Sequence, residues 1–478
     1  MSFQKRPFHR SHSEFSPSPG RLVIFGHSIA PVLASMSIVF VLVVSASVAL
    51  HAGFIGGAGR GAVGGVDIDA AGVLTDATPA QGADLAAELR QSMQRLDGDL
   101  AQASERRVIS LAAVQTRLKN LDIGQHVPSD LEYLAGLTKI EAVIVDAENN
   151  DILISGPAEP WRVDDSGNVV GKESGQAIMR LSHLLVAMQD VQRGVSEGIQ
   201  CSIEPTPEGR RNLQSLLSKV RLSSGQNPAY LEPAMREAFG PQIIRLSGVP
   251  TDSRFARTMV AADYEMKRIA MALAPSEVQG LPSYLQLSRN ASHNAAQNPR
   301  WWMAVNYDEV QFNEDKSVWT FNGSRIKTLT EQDQISRDGS AKATGRKDAL
   351  AQKWANLMNE RLEQLLIAKP IFGELANVID ATMVATLIEK ENFEHKAGLD
   401  LTPMRELAVD HLASFEVPQT ISPQCSFIKT RGGWTVTASG GVDIDALTQL
   451  DNAKSGAKVD RAELLVSRSN DRWFWDVQ

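Results

Sequence analysis

Residues 242–273, QIIRLSGVPTDSRFARTMVAADYEMKRIAMAL, decide how this chain is built. Gln242 to Leu246 holds two adjacent β-branched residues, Ile243 and Ile244, and predicts a short strand. Gly248-Val249-Pro250 stops it. Phe255, Met259, Ala262, Met266, Ile269 and Leu273 then recur at three-and-four spacing, which predicts a helix burying one face. Thr251 or Asp252 is expected to cap it, because a short oxygen-bearing side chain can accept from the unpaired N–H groups of a first turn. Arg257, Asp263 and Lys267 fall nearly on one face of the same helix and read as a solvated face.

An upstream segment repeats the plan. Ile199-Gln200-Cys201-Ser202-Ile203 reads as a strand, and Thr206-Pro207-Glu208 opens a helix. There Thr caps, Pro takes a first-turn position that needs no N–H, and Glu meets the positive end of the helix dipole. Two such strand–helix turns predict one α/β unit over residues 137–275.

Working outward, Leu85, Leu89, Ser92, Leu96 and Leu100 follow helical spacing, and Ser110 is placed to cap a second helix through Leu111, Val114, Leu118 and Leu121. Ile140–Val145 and Ile152–Ile154 predict a hairpin around Asn149-Asn150, and Trp161–Val163 with Asn168–Val170 another. Ile178 to Val191 is helical in period, residues 274–300 read as a polar linker, and Trp301 to about Thr330 reads as β. Residues 347–390 form a helical pair broken at Pro370, with Leu350, Trp354, Leu357, Leu362 and Leu365 before it and Phe372, Leu375, Ile379, Met383 and Leu387 after it. Hairpins are expected around Gly432-Gly433 and around Asn470-Asp471.

The result is an α+β fold: a mixed α/β N-terminal unit with strand–helix turns, followed by β-hairpins and a helical pair. The expected divisions are a signal peptide or membrane anchor at 1–49 and a Gly/Ala-rich entry segment at 50–82. An α/β domain at 83–275, the linker at 276–300 and a β-hairpin plus helical-pair domain at 301–478 complete them.

The first 49 residues carry Lys5, Arg6, Arg10 and Arg21 against Glu14, then an apolar run ending in the small residues Ser45, Ala46, Ser47 and Ala49. Basic head, apolar middle and small-residue end describe a secretory signal peptide; the apolar span is also long enough for an uncleaved anchor. Either reading puts the rest outside the cytoplasm, with cleavage favoured. Losing the segment takes the net charge from −8 to −11, which argues against non-specific nucleic-acid binding. The two cysteines, Cys201 and Cys425, are too few for a disulfide scaffold; they could pair in an oxidising compartment, but two separate buried thiols are the simpler reading.

Chemistry-bearing motifs are sparse. Gly194-Val195-Ser196-Glu197-Gly198 has the letters of a nucleophile elbow, but that device needs a strand before it and a helix after, and here the order is reversed. A helix C-cap turn accounts for it. Ser455-Gly456-Ala457-Lys458 spells a serine–lysine pair without companion motifs. Asp67-Ile68-Asp69-Ala70-Ala71-Gly72 begins like a calcium loop, but Ala71 stands where the third ligand belongs and Thr78 where the twelfth does. Asp146 to Asp151 offers oxygens that a hairpin turn already explains. His126, His183, His293, His395 and His411 have no metal spacing. Trp301-Trp302 and Trp473-Phe474-Trp475 read as core, with a carbohydrate or protein contact face as the alternative. No residue is assigned a catalytic, cofactor or metal role. Finally, GGVDIDA occurs twice, at 64–70 and 440–446. Its Gly pair suggests a turn, and its alternation a strand with Val and Ile inward and Asp outward; two copies neighbouring in one sheet would bring four carboxylates together as a cation site, whereas copies far apart would each be a local turn-and-strand device.

Several strings together resemble an uncharacterised family of exported proteins from planctomycete bacteria: GGVDIDAAGVL at 64–74, CSIEPTPEG at 201–209, GVPTDSRFARTMVAADYEMKRIAM at 248–271, GLPSYL at 280–285, RWW at 300–302 and QCSFI at 424–428. The resemblance implies export and one architecture; it brings no activity, cofactor or site residue. The function is left between a non-catalytic envelope protein that binds or assembles and an extracytoplasmic hydrolase whose site is assembled from distant residues. The partner is left between an envelope protein and a carbohydrate.

Overall fold

The structure is a computed structural model and describes residues 66–68, 73–122, 125–221, 228–288, 297–336, 338, 340–411, 418–423, 427–430, 433–436, 439–457, 459, 461–466, 468 and 472–477. The chain divides after Phe54, and every residue described here belongs to the unit that begins at Ile55. The fold is α+β, with two large sheets and a helical interior.

The nine-stranded sheet runs, in spatial order, Val66–Ile68, Val73–Asp76, Thr420–Ile421, Gln242–Ser247, Ile199–Pro205, Ser439–Ile444, Gln297–Asn306, Arg325–Ile335 and Ala341–Ala343. The seven-stranded sheet runs Lys454–Ser455, Glu309–Phe312, Val318–Asn322, Ala142–Asp146, Asp151–Ala158, Ser104–Ser110 and Phe474–Asp476. Segments 83–275 and 301–478, expected as separate domains, therefore both give strands to both sheets. The periodicity that marks a strand does not say which strand it pairs with, so that partnership was invisible locally.

The strand–helix turns form as expected. Strand Ile199–Pro205 leads to helix Pro207–Lys219, whose cap Thr206 accepts from the Gly209 N–H at 2.9 Å. Strand Gln242–Ser247 leads to helix Arg254–Ala270. Its cap is Ser253, accepting from Ala256 N–H at 3.1 Å, rather than Thr251 or Asp252. Those two residues belong to the preceding turn, so the helix starts one or two residues later than expected. The two strands lie antiparallel, Cys201 opposite Leu246.

Phe255, Met259, Met266 and Ile269 are all buried on the Arg254–Ala270 helix. That helix packs on strands Ile199–Pro205 and Ser439–Ile444 with one side and on helix Pro370–Lys390 with the other. Pro370 opens the latter helix at its first turn, where its missing N–H costs nothing. The helix is long and apolar enough to cross a membrane by composition, yet residues 371–388 of it are all buried inside the fold, as in a core helix. Helix Leu181–Gln189 packs against both.

The aromatic strands are core: Trp301, Trp473, Phe474 and Trp475 are buried, while Trp302 is half-buried with Arg300 stacked on its ring. Both early hairpins form, with Asn150 at φ 51° in the first turn. The helix predicted through Leu100 ends at Ser92. It starts earlier, at Pro79, with Thr78 and Gln81 bonding reciprocally as a capping box. The helix capped by Ser110 spans Leu111–Lys119. Thr430 faces Gly433 across a short hairpin. The last predicted hairpin does not form: Arg461–Leu465 is a helix, and Phe474–Asp476 pairs with Ser104–Ser110 instead. The Leu464 carbonyl takes the Trp475 indole N–H at 2.8 Å, so these two segments meet through a side chain rather than a strand ladder. The linker at 276–300 contains a short helix, Tyr284–Ser288, with Tyr284 and Leu285 buried.

Candidate functional site

Three buried polar clusters and one open cleft hold most of the chemistry of the described residues. The first cluster overturns the solvated-face reading of the Arg254–Ala270 helix. Arg257, Asp263 and Lys267 are 1, 0 and 3 % exposed. Lys267 Nζ donates to Asp263 Oδ2 at 2.8 Å and to the Ile203 carbonyl at 2.6 Å. The pair lies under Gly440, where a Cβ would stand 2.3 Å from the Trp301 carbonyl and 3.1 Å from Lys267 Cε. Helical periodicity located the face; burial of its charges depended on a sheet strand arriving from the far end of the chain. Burial pushes the Asp263 carboxyl up, against the pull of Lys267. It also pushes the Cys201 thiol well up, and Asp263 adds to that, which leaves the sulfur a poor nucleophile. Cys201 is a buried free thiol, and Cys425 lies outside the described residues.

The second cluster centres on Glu374. Arg254 reaches it with both nitrogens of a fork, Nε at 2.6 Å and Nη2 at 3.0 Å, and the Thr258 hydroxyl donates at 3.1 Å. Arg180 Nε lies 3.8 Å away. His183 Nε2 lies 3.3 Å from Oε1, close enough for electrostatic contact but without hydrogen-bond alignment. Burial alone would raise the Glu374 carboxyl, but Arg254, with His183 and Arg180, holds it well below the usual range. Burial lowers the His183 imidazole from its ordinary value, against the pull of Glu374.

The third cluster sits where the chain crosses between sheets. Asp380 accepts from the Tyr307 hydroxyl at 2.5 Å, the Ile140 N–H at 3.1 Å and Arg325 Nη1 at 3.1 Å, and Arg325 also reaches Asn377 Oδ1 at 2.9 Å. All these groups are buried, and each is satisfied by another, as a structural network requires.

The cleft is different because it is open. It holds about 280 Å³ between the Leu181–Gln189 and Val191–Glu197 helices, the ends of strands Ile199–Pro205 and Ser439–Ile444, and helix Pro370–Lys390. Gln200 and Asp443 stand opposite each other across the paired strands, and Gln200 Nε2 donates to Asp443 Oδ1 at 3.3 Å. Asp445 caps the following helix by accepting from Thr448 N–H at 2.9 Å. Burial, with Asp445 nearby, raises the Asp443 carboxyl. Thr382 and Thr386 complete the polar lining; Val191, Val195, Ile199 and Leu447 form the apolar wall.

The second GGVDIDA copy thus lines the cleft. Val442 and Ile444 are buried, Asp443 is half-buried and Asp445 exposed, as alternation predicts. Its glycines do not make a turn. Gly440 and Gly441 are extended strand residues, and Gly441 is required because a Cβ would meet the Cys201 carbonyl at 2.3 Å. The first copy contributes strand Val66–Ile68 at the far edge of the same sheet. Five inter-strand steps separate the copies, roughly 24 Å at about 4.8 Å each. A cation site shared by the two copies is therefore rejected. Residues 69–72 of the calcium-like loop lie outside the described residues, and no group of three acidic, His or Cys side chains able to hold a metal occurs among the described ones.

Other sequence candidates fall apart. Ser196 ends helix Val191–Glu197 and its hydroxyl bonds back to the Arg193 carbonyl at 3.2 Å; Gly198 caps that helix at φ 76°. Asp146 and Asp151 are tied to Arg468, at 2.5 and 2.9 Å, not to a metal. Ser455 lies on a short edge strand, and Lys458 is outside the described residues. His126 and His395 are exposed, His183 is core, and His293 and the side chain of His411 lie outside the described residues. Glu374, Arg254, Arg180 and Asp380 were not singled out in the sequence. The one available signal was an acidic residue inside an otherwise apolar helix, at Glu374 and again at Asp380.

No curated protein and no solved structure matches the chain. Residues 201–284 match a family model described as a protein of unknown function (DUF1598), so a DUF1598 domain begins at Cys201 on the strand beside the cleft and takes in the whole Arg254–Ala270 helix.

Proposed function

We propose that this chain is an exported bacterial envelope protein that binds rather than catalyses, and that the cleft between Gln200 and Asp443 is its binding place. The observation that carries this reading is the contrast between the cleft and the buried clusters. Cys201, His183 and Ser196, the nucleophiles and base that chemistry would need, are each buried or bonded to backbone, and none of them lines the cleft. The cleft presents carboxylates, an amide and hydroxyls over an apolar wall, a lining suited to holding a small polar ligand. Export rests on the basic head, apolar run and small-residue end of residues 1–49.

One observation favours the hydrolase alternative: a raised Asp443 beside Asp445 is the kind of carboxyl pair that acid–base hydrolysis uses. Two measurements decide. Cell fractionation should find the protein outside the cytoplasm, with a start near Ser47 or Leu50 if cleaved; full-length chain in the cytosol contradicts export. A small-molecule extract of the envelope should raise the melting temperature of the full-length protein without being consumed, and Val195→Trp, which fills the rim, should abolish the shift. Turnover of the stabilising compound, lost in Asp443→Asn, would establish the hydrolase instead.

A further inference from the structure

The cleft carries enough detail to name the chemistry of its ligand. Two carboxylates, Asp443 and Asp445, come from one short segment, and neither has a cation within salt-bridge distance among the described residues. Asp443 accepts the neutral Gln200 amide, Asp445 accepts a backbone N–H, and Arg300 acts on Asp443 only at longer range. Thr386 supplies an independent signal. It is 4 % exposed, it lines the cleft, and its hydroxyl has no hydrogen-bond partner among the described residues. A hydroxyl so placed is one a ligand would satisfy. The facing wall is apolar, and Val195 stands 43 % exposed at its rim, one of few large apolar side chains so exposed among the described residues.

We infer that the cleft binds the primary ammonium group of a small organic amine, set between Asp443 and Asp445, with one N–H donated to Thr386 and the carbon chain laid along Val195 and Ile199. The inference rests on the reading of the cleft as the binding place. An anion would be repelled by both carboxylates. A bare calcium ion fits worse, because it draws on about six to eight oxygens, and no group of three or more acidic, His or Cys side chains that could hold a metal lies together among the described residues. A cleft of about 280 Å³ sits at the small end of ligand sites, which suits a short amine better than an oligosaccharide.

Calorimetry on the full-length protein with pentane-1,5-diamine tests this, with pentan-1-ol, calcium chloride and N-acetylglucosamine as comparisons. The diamine should bind with a sub-millimolar Kd and pentan-1-ol should not. Asp443→Asn should weaken binding by at least about tenfold, the usual scale of a lost charge-assisted hydrogen bond. Asp443→Glu, which keeps the charge, should retain more of the affinity than Asp443→Asn, with circular dichroism unchanged in both. A lysine-containing tripeptide that binds as well as the diamine would assign the ammonium to a lysyl side chain; a tripeptide that fails would assign it to a free amine. Equal binding of pentan-1-ol, tighter binding of calcium or the sugar, or indifference to Asp443→Asn overturns the ammonium assignment. If the envelope extract still stabilises the wild type but not Val195→Trp while the diamine does nothing, the ligand class is wrong and the cleft stands. If diamine binding survives Val195→Trp, the cleft itself is the wrong place.

Discussion

Glu374 shows what one buried charge does in this molecule. Its carboxylate is held by the Arg254 fork, Thr258, Arg180 and His183, so removing it takes the shared carboxylate away from the half-buried Arg254 and from the buried Arg180, which keeps Glu132 at 3.0 Å. Glu374→Ala should cost about 3–5 kcal/mol, the usual penalty for breaking one side of a buried pair; chemical denaturation measures it. The sign of the pH effect follows from the same geometry. The folded state holds this carboxyl below its ordinary value of 4.5, so folding favours the charged form. That contribution is complete above about pH 4.5 and is lost only as pH falls toward the depressed folded value. Wild type should therefore lose stability on acidification below pH 4.5 more steeply than Glu374→Gln, and equal slopes would show that the site does not titrate with folding.

At the scale of elements, the Arg254–Ala270 helix is the piece that was most and least legible. Its apolar spacing located Phe255, Met259, Met266 and Ile269 in the core, and they are there. Its charged face was misread, because one face of a helix in isolation has no way to announce that strands Ile199–Pro205 and Ser439–Ile444 will cover it. The buried Asp263–Lys267 pair gives a test of what the charges contribute. Lys267→Met alone strands a buried carboxylate and should destabilise by about 3–5 kcal/mol, whereas Lys267→Met with Asp263→Leu should recover most of that loss. A double variant no better than the single one would mean the pair acts through something other than mutual neutralisation. Phe255→Ala should cost about 3–5 kcal/mol as a core truncation, with no change in the cleft's ligand preference.

For the whole molecule, what escaped the sequence was pairing. Hairpins between neighbours, such as Ala142–Asp146 with Asp151–Ala158, were legible because turn chemistry and alternation sit side by side. The partnerships of residues 439–444 with 199–205 on one side and with 300–304 on the other were not, since nothing local encodes a contact between segments so far apart in the chain. The cleft inherits that difficulty. Gln200, Thr386 and Asp443 are far apart in the chain, and each taken alone reads as an ordinary polar residue. The repeated GGVDIDA string pointed to Asp443 and Asp445, but as a partner for its distant copy rather than for Gln200 and Thr386.

The most direct test of this account asks whether the cleft is where the ligand goes, without altering any residue. Methyl-resolved NMR of the full-length protein, titrated with pentane-1,5-diamine, reads the apolar wall itself. Shifts should concentrate on the methyl groups of Val191, Val195, Ile199, Ile444 and Leu447, with those of Leu118 and Leu134, core residues that do not line the cleft, unmoved. Shifts centred on any other part of the fold, or none at millimolar diamine, would contradict it.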